Sequence, residues 1–352
     1  MNDRQWMIYG ANGYTGELIA REAAKRGSKP VLAGRSAAKI EPLADELGLE
    51  SRIFSLSDPQ ATGQGLSGIE LLVHCAGPFS ATAKPMLEAC LGKRTHYLDI
   101  TGEIDVFDYA HSLHQRAVDA GIVVCPGAGF DVVPTDCLAA ALSESLPDAT
   151  HLSLGFDSQS GMSQGTAKTS IEGLAKGGRI RKDGKLLTVG LGHESRQIDF
   201  GDGEKCAMTI PWGDVATANY STGIPNIKVF VPVSPRLLKR LRMLNKVRFL
   251  LGLGLVQNFL KKKVEKGRRG PSGEQRDKLP TFVWGEVRNA AGERRTGRIK
   301  TANGYALTVT AALALVDVVL DGNFPGGYFT PSLLAGKTLV ETLPGSGNIE
   351  IT

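Results

Sequence analysis

The sequence predicts an α/β protein: an N-terminal doubly wound parallel sheet followed by a second, mixed α/β domain. Three observations predict it. A strand, a glycine turn and a helix open the chain, strand and helix signals alternate to about residue 128, and short alternating strands replace them beyond Pro134. The opening reads Trp6-Met7-Ile8-Tyr9, then Gly10-Ala11-Asn12-Gly13-Tyr14-Thr15-Gly16, then helical apolar spacing from Glu17 to Arg26. Gly10 permits a tight exit from the strand, Gly13 lets backbone N–H groups approach a pyrophosphate, and Gly16 lets the helix pack close to the sheet. The helix N-terminus then faces the anion. Three glycines alone are a weak sign. Their place between a strand and a helix makes this a dinucleotide turn and the domain Rossmann-type.

The second strand, beginning at Pro30, ends in Ala33-Gly34-Arg35-Ser36. A preference for NAD usually shows there as an Asp or Glu that bonds both ribose hydroxyls. An arginine and a hydroxyl suit a 2′-phosphate instead, so the cofactor read from these residues is NADP(H). Lys39, one helical turn further, adds charge to the same pocket. The alternative is that Arg35 is only a solvated turn residue.

The alternation continues with a helix over Ala38 to Leu47 and a short strand over Ser51 to Leu56. Leu71 to Ala76 has the length of a buried strand and stops at Gly77-Pro78. Next come a helix over Pro85 to Leu91, a strand over His96 to Asp99, a helix over Val106 to Ala120 and a strand over Gly121 to Val124. A dinucleotide lies across the carboxyl ends of such strands. Three of those ends are rich in glycine and polar groups: Cys75-Ala76-Gly77-Pro78-Phe79, Asp99-Ile100-Thr101-Gly102-Glu103, and Pro126-Gly127-Ala128-Gly129-Phe130-Asp131. The expected cofactor-binding residues are therefore Gly10 to Gly16, Arg35, Ser36, Lys39, Cys75 to Phe79, Thr101 and Gly102, with Phe79 near the nicotinamide. Each exit taken singly is also compatible with a plain tight turn; their shared position favours a site.

Beyond Pro134, strands are expected over Ala149 to Phe156, Leu186 to Val189, Arg196 to Phe200 and Asn226 to Val233. Ser163-Gln164-Gly165-Thr166-Ala167-Lys168-Thr169 precedes a helix through Ile171 to Leu174. Small hydroxyl residues at a helix start suit an anionic or carbonyl group, and suit plain capping more often. Gly304 to Leu320 reads as a nearly uncharged helix, too short for a membrane span and buried between domains. The expected division is 1–130 for the dinucleotide domain, 131–302 for a mixed α/β substrate and dimerisation domain, and 303–352 for C-terminal helices returning to the first.

At 352 residues, with 42% hydrophobic and 22% charged residues, the composition is that of an ordinary soluble protein of two domains. The five cysteines are odd in number and form no CxxC pair, which fits a reducing cytosol and a cytoplasmic protein. No signal peptide is read at the start, and no uncharged apolar run reaches the roughly 20 residues of a span. The net charge of +5 is uneven. Twelve Lys or Arg stand against one acid, Glu265, between Arg236 and Arg269, so the excess is local and nucleic acid is not an expected partner. Helically spaced leucines among those cations admit two readings. One is a helix for a membrane interface, an acidic acyl carrier protein or an acyl-CoA. The other, the stronger from the residues alone, is a lid or a helix covering a homodimer.

With these segments in view, the chain resembles the saccharopine dehydrogenase-like oxidoreductases, in particular the branch of trans-acting enoyl reductases. The matching pieces are Tyr9 to Gly16, Ala33-Gly34-Arg35, Cys75 to Phe79, Tyr97 to Glu103, Gly127 to Asp131 with Pro134 and Asp136, Gly165-Thr166, and Gly326-Gly327 with Thr330-Pro331. The resemblance implies an NADP-binding domain, a mixed α/β second domain and C-terminal helices that return to the first. It does not imply saccharopine as substrate.

Hydride transfer needs a proton source or oxyanion donor beside the nicotinamide. If an enoyl or carbonyl group is reduced, Lys168 is the expected donor to a carbonyl oxygen and Asp131 the group that orients it; Asp131 as a simple helix cap is an equal alternative. Both are the candidate catalytic residues. No tyrosine has Lys at the fourth following position, which removes the Tyr-x-x-x-Lys reductases. No nucleophile elbow is present, and His111 with His114 lack a carboxylate or cysteine cluster, so neither hydrolase nor metal chemistry is expected. The leading reading is an NADP(H)-dependent oxidoreductase acting on a C=C, C=O or C=N bond of a medium-sized or lipid-like substrate. The rival is a non-catalytic NADP(H)-binding sensor or scaffold.

Overall fold

The apolar runs of the first third of the chain become parallel strands in the computed structural model, which describes residues 4–160, 163–265 and 270–352. In chain order these are β1 (Trp6–Tyr9), α1 (Tyr14–Lys25), β2 (Val31–Gly34), α2 (Ala37–Leu47), β3 (Ser51–Ile53), α3 (Pro59–Gly65), β4 (Leu71–His74), α4 (Phe79–Lys93), β5 (His96–Asp99), α5 (Ile104–Ser112), α6 (His114–Ala120) and β6 (Val123–Cys125). Every residue of β1, β2 and β4 is buried, as strands covered by helices on both faces require. The expected helix from Val106 to Ala120 starts earlier and breaks at Leu113, where α5 ends and α6 begins.

Beyond them lie α7 (Val133–Ser145), β7 (Ala149–Ser158), α8 (Gln164–Lys176), β8 (Gly178–Lys182), β9 (Lys185–Val189), β10 (Ser195–Asp199), β11 (Glu204–Ile210), α9 (Asp214–Thr222), β12 (Asn226–Pro232) and α10 (Pro235–Leu244). After a single 3₁₀ turn (Arg248–Gly252) follow α11 (Gly254–Glu265), α12 (Gly273–Lys278), β13 (Thr281–Asn289), β14 (Arg294–Thr301), α13 (Gly304–Asp321), β15 (Gly327–Tyr328), α14 (Pro331–Ala335), α15 (Leu339–Thr342) and β16 (Glu350–Ile351). Two compact units result: Met1–Val133 with Leu307–Gly336, and Pro134–Ala306 with Lys337–Thr352. The C-terminal return is thus confined to 307–336, whereas 337–352 belong to the second unit.

The first unit holds a seven-stranded sheet in the order β15-β6-β5-β4-β1-β2-β3. All of its pairings are parallel. The order reverses direction between β1 and β4, and in such sheets the ligand crevice opens at that switch point, outside the strands' carboxyl ends. His111 and His114 serve β15: the Tyr328 N–H donates to His114 Nδ1 at 3.1 Å, and the His111 ring meets the Tyr328 ring edge-on at 5.1 Å. Helix α13 is 18 residues long and apolar enough for a span by length and composition, yet 61% of it is buried in the fold.

The second unit is built on a mixed sheet in the order β10-β11-β12-β7-β13-β14-β16, with β8 and β9 attached beside β12. Helix α7 lies close against one face, where Cβ atoms on Gly285 or Gly297 would come within 2.6 and 2.7 Å of Leu142 and Leu138. The other face gathers Phe200, Phe230 and Trp284. Arg196 stacks over Trp284 at 4.8 Å and forms a bidentate pair with Glu286 at 3.1 Å, so its charge is matched while its plane covers the ring.

Candidate functional site

The glycine turn after β1 is shaped by contact as much as by freedom. Gly10 takes φ +85°, and a Cβ there would lie 2.8 Å from Ala76, the residue leaving β4. The two exits flanking the switch point therefore touch. Gly16, inside α1, comes so near the turn that a Cβ would stand 2.4 Å from the Gly10 carbonyl oxygen and 3.0 Å from Ala11 Cα. Gly13 precedes the helix and offers no side chain to cap it. The result is a helix start drawn tight against the strand end, the arrangement that presents backbone N–H groups and the positive helix end to an anion.

A second helix start stands at the end of β2. Ser36 occupies the N-cap position of α2, yet its hydroxyl makes no capping bond, and the first turn contains no acid. Arg35 and Lys39 are exposed beside it. Arg35 is near enough to the buried Tyr9 hydroxyl to offset part of the rise in pKa that burial causes there. A free hydroxyl, two cations and an uncapped helix start make a phosphate seat, and no carboxylate stands where an NAD-type site places one. These residues fit a bound NADP(H): Gly10 to Gly16 against the pyrophosphate, and Arg35, Ser36 and Lys39 at the 2′-phosphate.

The third helix start is different, because an anion already sits on it. Glu103 accepts the Phe79 N–H at 2.9 Å and the Ser80 N–H at 2.8 Å, closing the first turn of α4 with its carboxylate. The main chain of Glu103 meanwhile begins α5. Around this loop, the Thr82 hydroxyl donates to the Ala76 carbonyl at 2.7 Å, which leaves it to accept from His74 Nε2 at 3.0 Å. His74 is fully buried and neutral, its pKa lowered to about 3 by desolvation, and its ring meets Phe79 edge-on at 5.3 Å. Phe79 and the cis Gly77-Pro78 peptide are thereby held from both sides. Glu103→Ala removes a charged cap and should lower the stability of the first unit by about 1–2 kcal/mol, read as an earlier urea transition, with the far-UV spectrum unchanged.

Asp99 organises the next two exits. Fully buried at the end of β5, it accepts the Tyr97 hydroxyl at 2.7 Å and the N–H groups of Thr101 and Gly127 at 2.9 Å each, while its own carbonyl accepts the Ala128 N–H at 2.6 Å. Desolvation raises it to about 6 against these bonds. Thr101, expected to line the cofactor, is itself fully buried, and its hydroxyl accepts the Glu103 N–H at 3.1 Å. It shapes the turn from within. Burial and the nearby Asp99 likewise hold the Cys75 thiol well above its ordinary pKa, which keeps it protonated.

Asp131, after β6, comes to rest against Gly102: a Cβ on that glycine would lie 2.7 Å from Asp131 Oδ2. The residue keeps part of its surface, yet desolvation of its carboxyl raises the pKa to about 7. The same loop is anchored by the Phe130 N–H, which donates to Thr308 Oγ1 of α13 at 3.0 Å. Lys168 belongs to the second unit. It stands on α8 and not in a loop, because Ser163 caps the helix earlier than expected: Ser163 Oγ accepts the Thr166 N–H at 3.2 Å, and the Tyr305 hydroxyl accepts the Ser163 N–H at 2.5 Å. The small hydroxyl residues there serve capping.

Residues missed from the sequence are His74 and Thr82, and for Glu103 the strand exit was read but not the role. A Glu at the end of a strand exit was visible; that its carboxylate closes a helix 24 residues upstream was not. Among the described residues, no group of His, Cys, Asp and Glu is arranged to hold a metal ion.

Residues 6–125 match the family model described as the saccharopine dehydrogenase NADP binding domain. The chain is 27% identical over 150 residues to a saccharopine dehydrogenase-like oxidoreductase of Mus musculus, covering 37% of this chain and 35% of that protein. It is 29% identical over 138 residues to a trans-acting enoyl reductase of Mycobacterium ulcerans, covering 37% and 33%. The chain thus spans about a third of the length of these relatives. The fold is that of the apo saccharopine dehydrogenase (L-Glu forming) of Saccharomyces cerevisiae, with a TM-score of 0.69, 12% identity, and 99% of this chain and 100% of that one covered.

Proposed function

We propose that the protein is an NADP(H)-dependent oxidoreductase reducing a C=C, C=O or C=N bond of a medium-sized or lipid-like substrate; the match of residues 6–125 to the saccharopine dehydrogenase NADP binding domain supports NADP(H) as its cofactor. The observation that carries the catalytic part is the place of Asp131, packed against Gly102 at the carboxyl edge of the parallel sheet, where desolvation of its carboxyl raises the pKa to about 7. When bound, the cofactor supplies a hydride. The chain supplies the proton: a carboxyl protonated near neutral pH delivers it at Oδ and is restored by solvent. Asp99 keeps the β5 and β6 exits in register behind it, and Glu103 with His74 keeps Phe79 in place. The relative that is a trans-acting enoyl reductase supports an enoyl thioester as the first substrate to try.

The test is NADPH consumption, followed at the nicotinamide absorbance, against enoyl thioesters, ketones and cyclic imines. Turnover of one class supports the reading. Tight NADPH binding with no turnover of any class leaves a sensor or scaffold instead.

Asp131→Asn carries a separate prediction. With a substrate in hand, kcat should fall about 10²- to 10⁴-fold while NADPH affinity is kept, and the loss of rate as pH rises through about 7 should vanish from the profile. Stability follows the same titration. A carboxyl whose folded pKa is raised stabilises the fold most at low pH, and that contribution is lost as pH rises from about 4 through about 7. The Asn variant should therefore lose less stability than the parent between pH 4 and 7, keeping only the part due to Asp99. Full activity in Asp131→Asn removes Asp131 from the mechanism.

A further inference from the structure

The cation-rich stretch carries most of the apolar surface the fold leaves uncovered. Seven of the eleven large apolar side chains exposed among the described residues fall between Leu237 and Phe259. Leu255 is 87% exposed and Phe259 69%. Both stand on one side of α11, four residues apart, and Lys262 continues that side three residues on. The opposite side faces inward: Gln257, about 200° around the helix from Leu255, donates to the Ile171 carbonyl of α8 at 3.1 Å. The orientation is therefore set by packing, and the outward stripe is left to solvent.

Helix α10 repeats the pattern. Leu238 is buried, and Arg242 holds the inner side by donating to the Gly192 carbonyl at 2.9 Å, while Leu237, Arg240 and Met243 look outward. Between Pro235 and Lys246 runs a shallow groove of about 340 Å³ lined by Pro235, Leu238, Lys239, Arg242, Met243 and Lys246, half of them cations. Arg236, Lys239 and Arg240 crowd the N-terminal half of α10, where the helix dipole disfavours positive charge. No acid between Arg236 and Val264 is present to pair with them. The last four residues of the basic stretch, 266–269, lie outside the described residues.

We propose that α10, the 3₁₀ turn and α11 seat this protein on an anionic lipid bilayer. The outward Leu and Phe side chains enter the boundary between headgroups and acyl chains, and the outward cations meet lipid phosphates. A second copy of the chain fits this surface poorly. A two-fold contact sets a patch against itself, which here brings unpaired cations together, and the cores of such interfaces are depleted of charge. The inference is independent of the reaction assigned above, since the surface belongs wholly to the second unit.

The experiment is co-sedimentation of the full chain with large vesicles, one set of pure phosphatidylcholine and one containing phosphatidylglycerol, at low and high salt. The chain is expected to sediment with the anionic vesicles at low salt, to be released by salt, and to leave pure phosphatidylcholine alone. Leu255→Glu with Phe259→Glu, and separately Lys239→Glu with Arg240→Glu, should each reduce the bound fraction about tenfold or more. These positions are exposed, and an unchanged far-UV spectrum and thermal melt report that the second unit still folds. Absence of sedimentation at low salt overturns the proposal, as does undiminished binding by both double variants. So does a dimer in sedimentation equilibrium that Leu255→Glu with Phe259→Glu dissociates, in a chain that ignores vesicles.

Discussion

Gly16→Ala should weaken NADPH binding by about 10- to 100-fold and lower the midpoint of thermal unfolding by several degrees. The added methyl would stand 2.4 Å from the Gly10 carbonyl oxygen and 3.0 Å from Ala11 Cα. Both are backbone atoms, so no side chain is able to rotate away; α1 must back off from the turn. Overpacking of this kind costs about 1–3 kcal/mol, roughly 2–4 °C per kcal/mol for a unit of this size. The affinity loss has its own origin. A retreat of α1 carries the helix N-terminus away from the pyrophosphate, and each charge-assisted bond lost there is worth about 1.5–3 kcal/mol. Dye-monitored melting with and without NADPH separates the two effects. A variant that melts early and still gains the parent's full stabilisation from NADPH would show that helix proximity matters only for packing.

Arg35→Glu should reverse the cofactor preference. The substitution removes a cation beside the uncapped start of α2 and puts a carboxylate where the ribose hydroxyls of NADH are able to use it. NADPH affinity is expected to fall by about two orders of magnitude, and NADH affinity to hold or improve. Arg35 is exposed, so stability should barely move. Fluorescence titration with both cofactors at one ionic strength reads the result. An equal loss for NADPH and NADH would place Arg35 away from the 2′-phosphate.

The sequence made the first unit legible and the second much less so. Parallel strands buried on both faces read as short apolar runs, and β1, β2, β4 and β5 stood out for that reason. The antiparallel strands β13 and β14 did not, because the face that carries Trp284 also carries Glu286, Arg288, Arg294, Arg298 and Lys300, whose charges interrupt any long apolar run. Helix α3 escaped notice although its signal was local: Asp58 accepts the N–H groups of Gln60 and Ala61, with Pro59 in the first turn. The cofactor residues were legible because a glycine turn and a basic strand tip are contiguous in sequence. Glu103, Asp99 and Asp131 act on partners elsewhere in the chain, at Phe79, Gly127 and Gly102. Spacing along a chain carries no trace of such pairings until the strands are laid side by side.

Glu103 has a consequence for how a ligand is admitted. Of the helix starts of the parallel domain described above, those of α1, α2 and α4, the chain's own carboxylate sits on the third, at Phe79 and Ser80. That start is occupied before any phosphate arrives. A phosphate-bearing ligand therefore finds the start of α4 closed, while the N-cap residues of α1 and α2 make no side-chain capping bond. The internal anion repels a phosphate from that helix start, so Glu103 narrows where a dinucleotide can lie by closing a place to it.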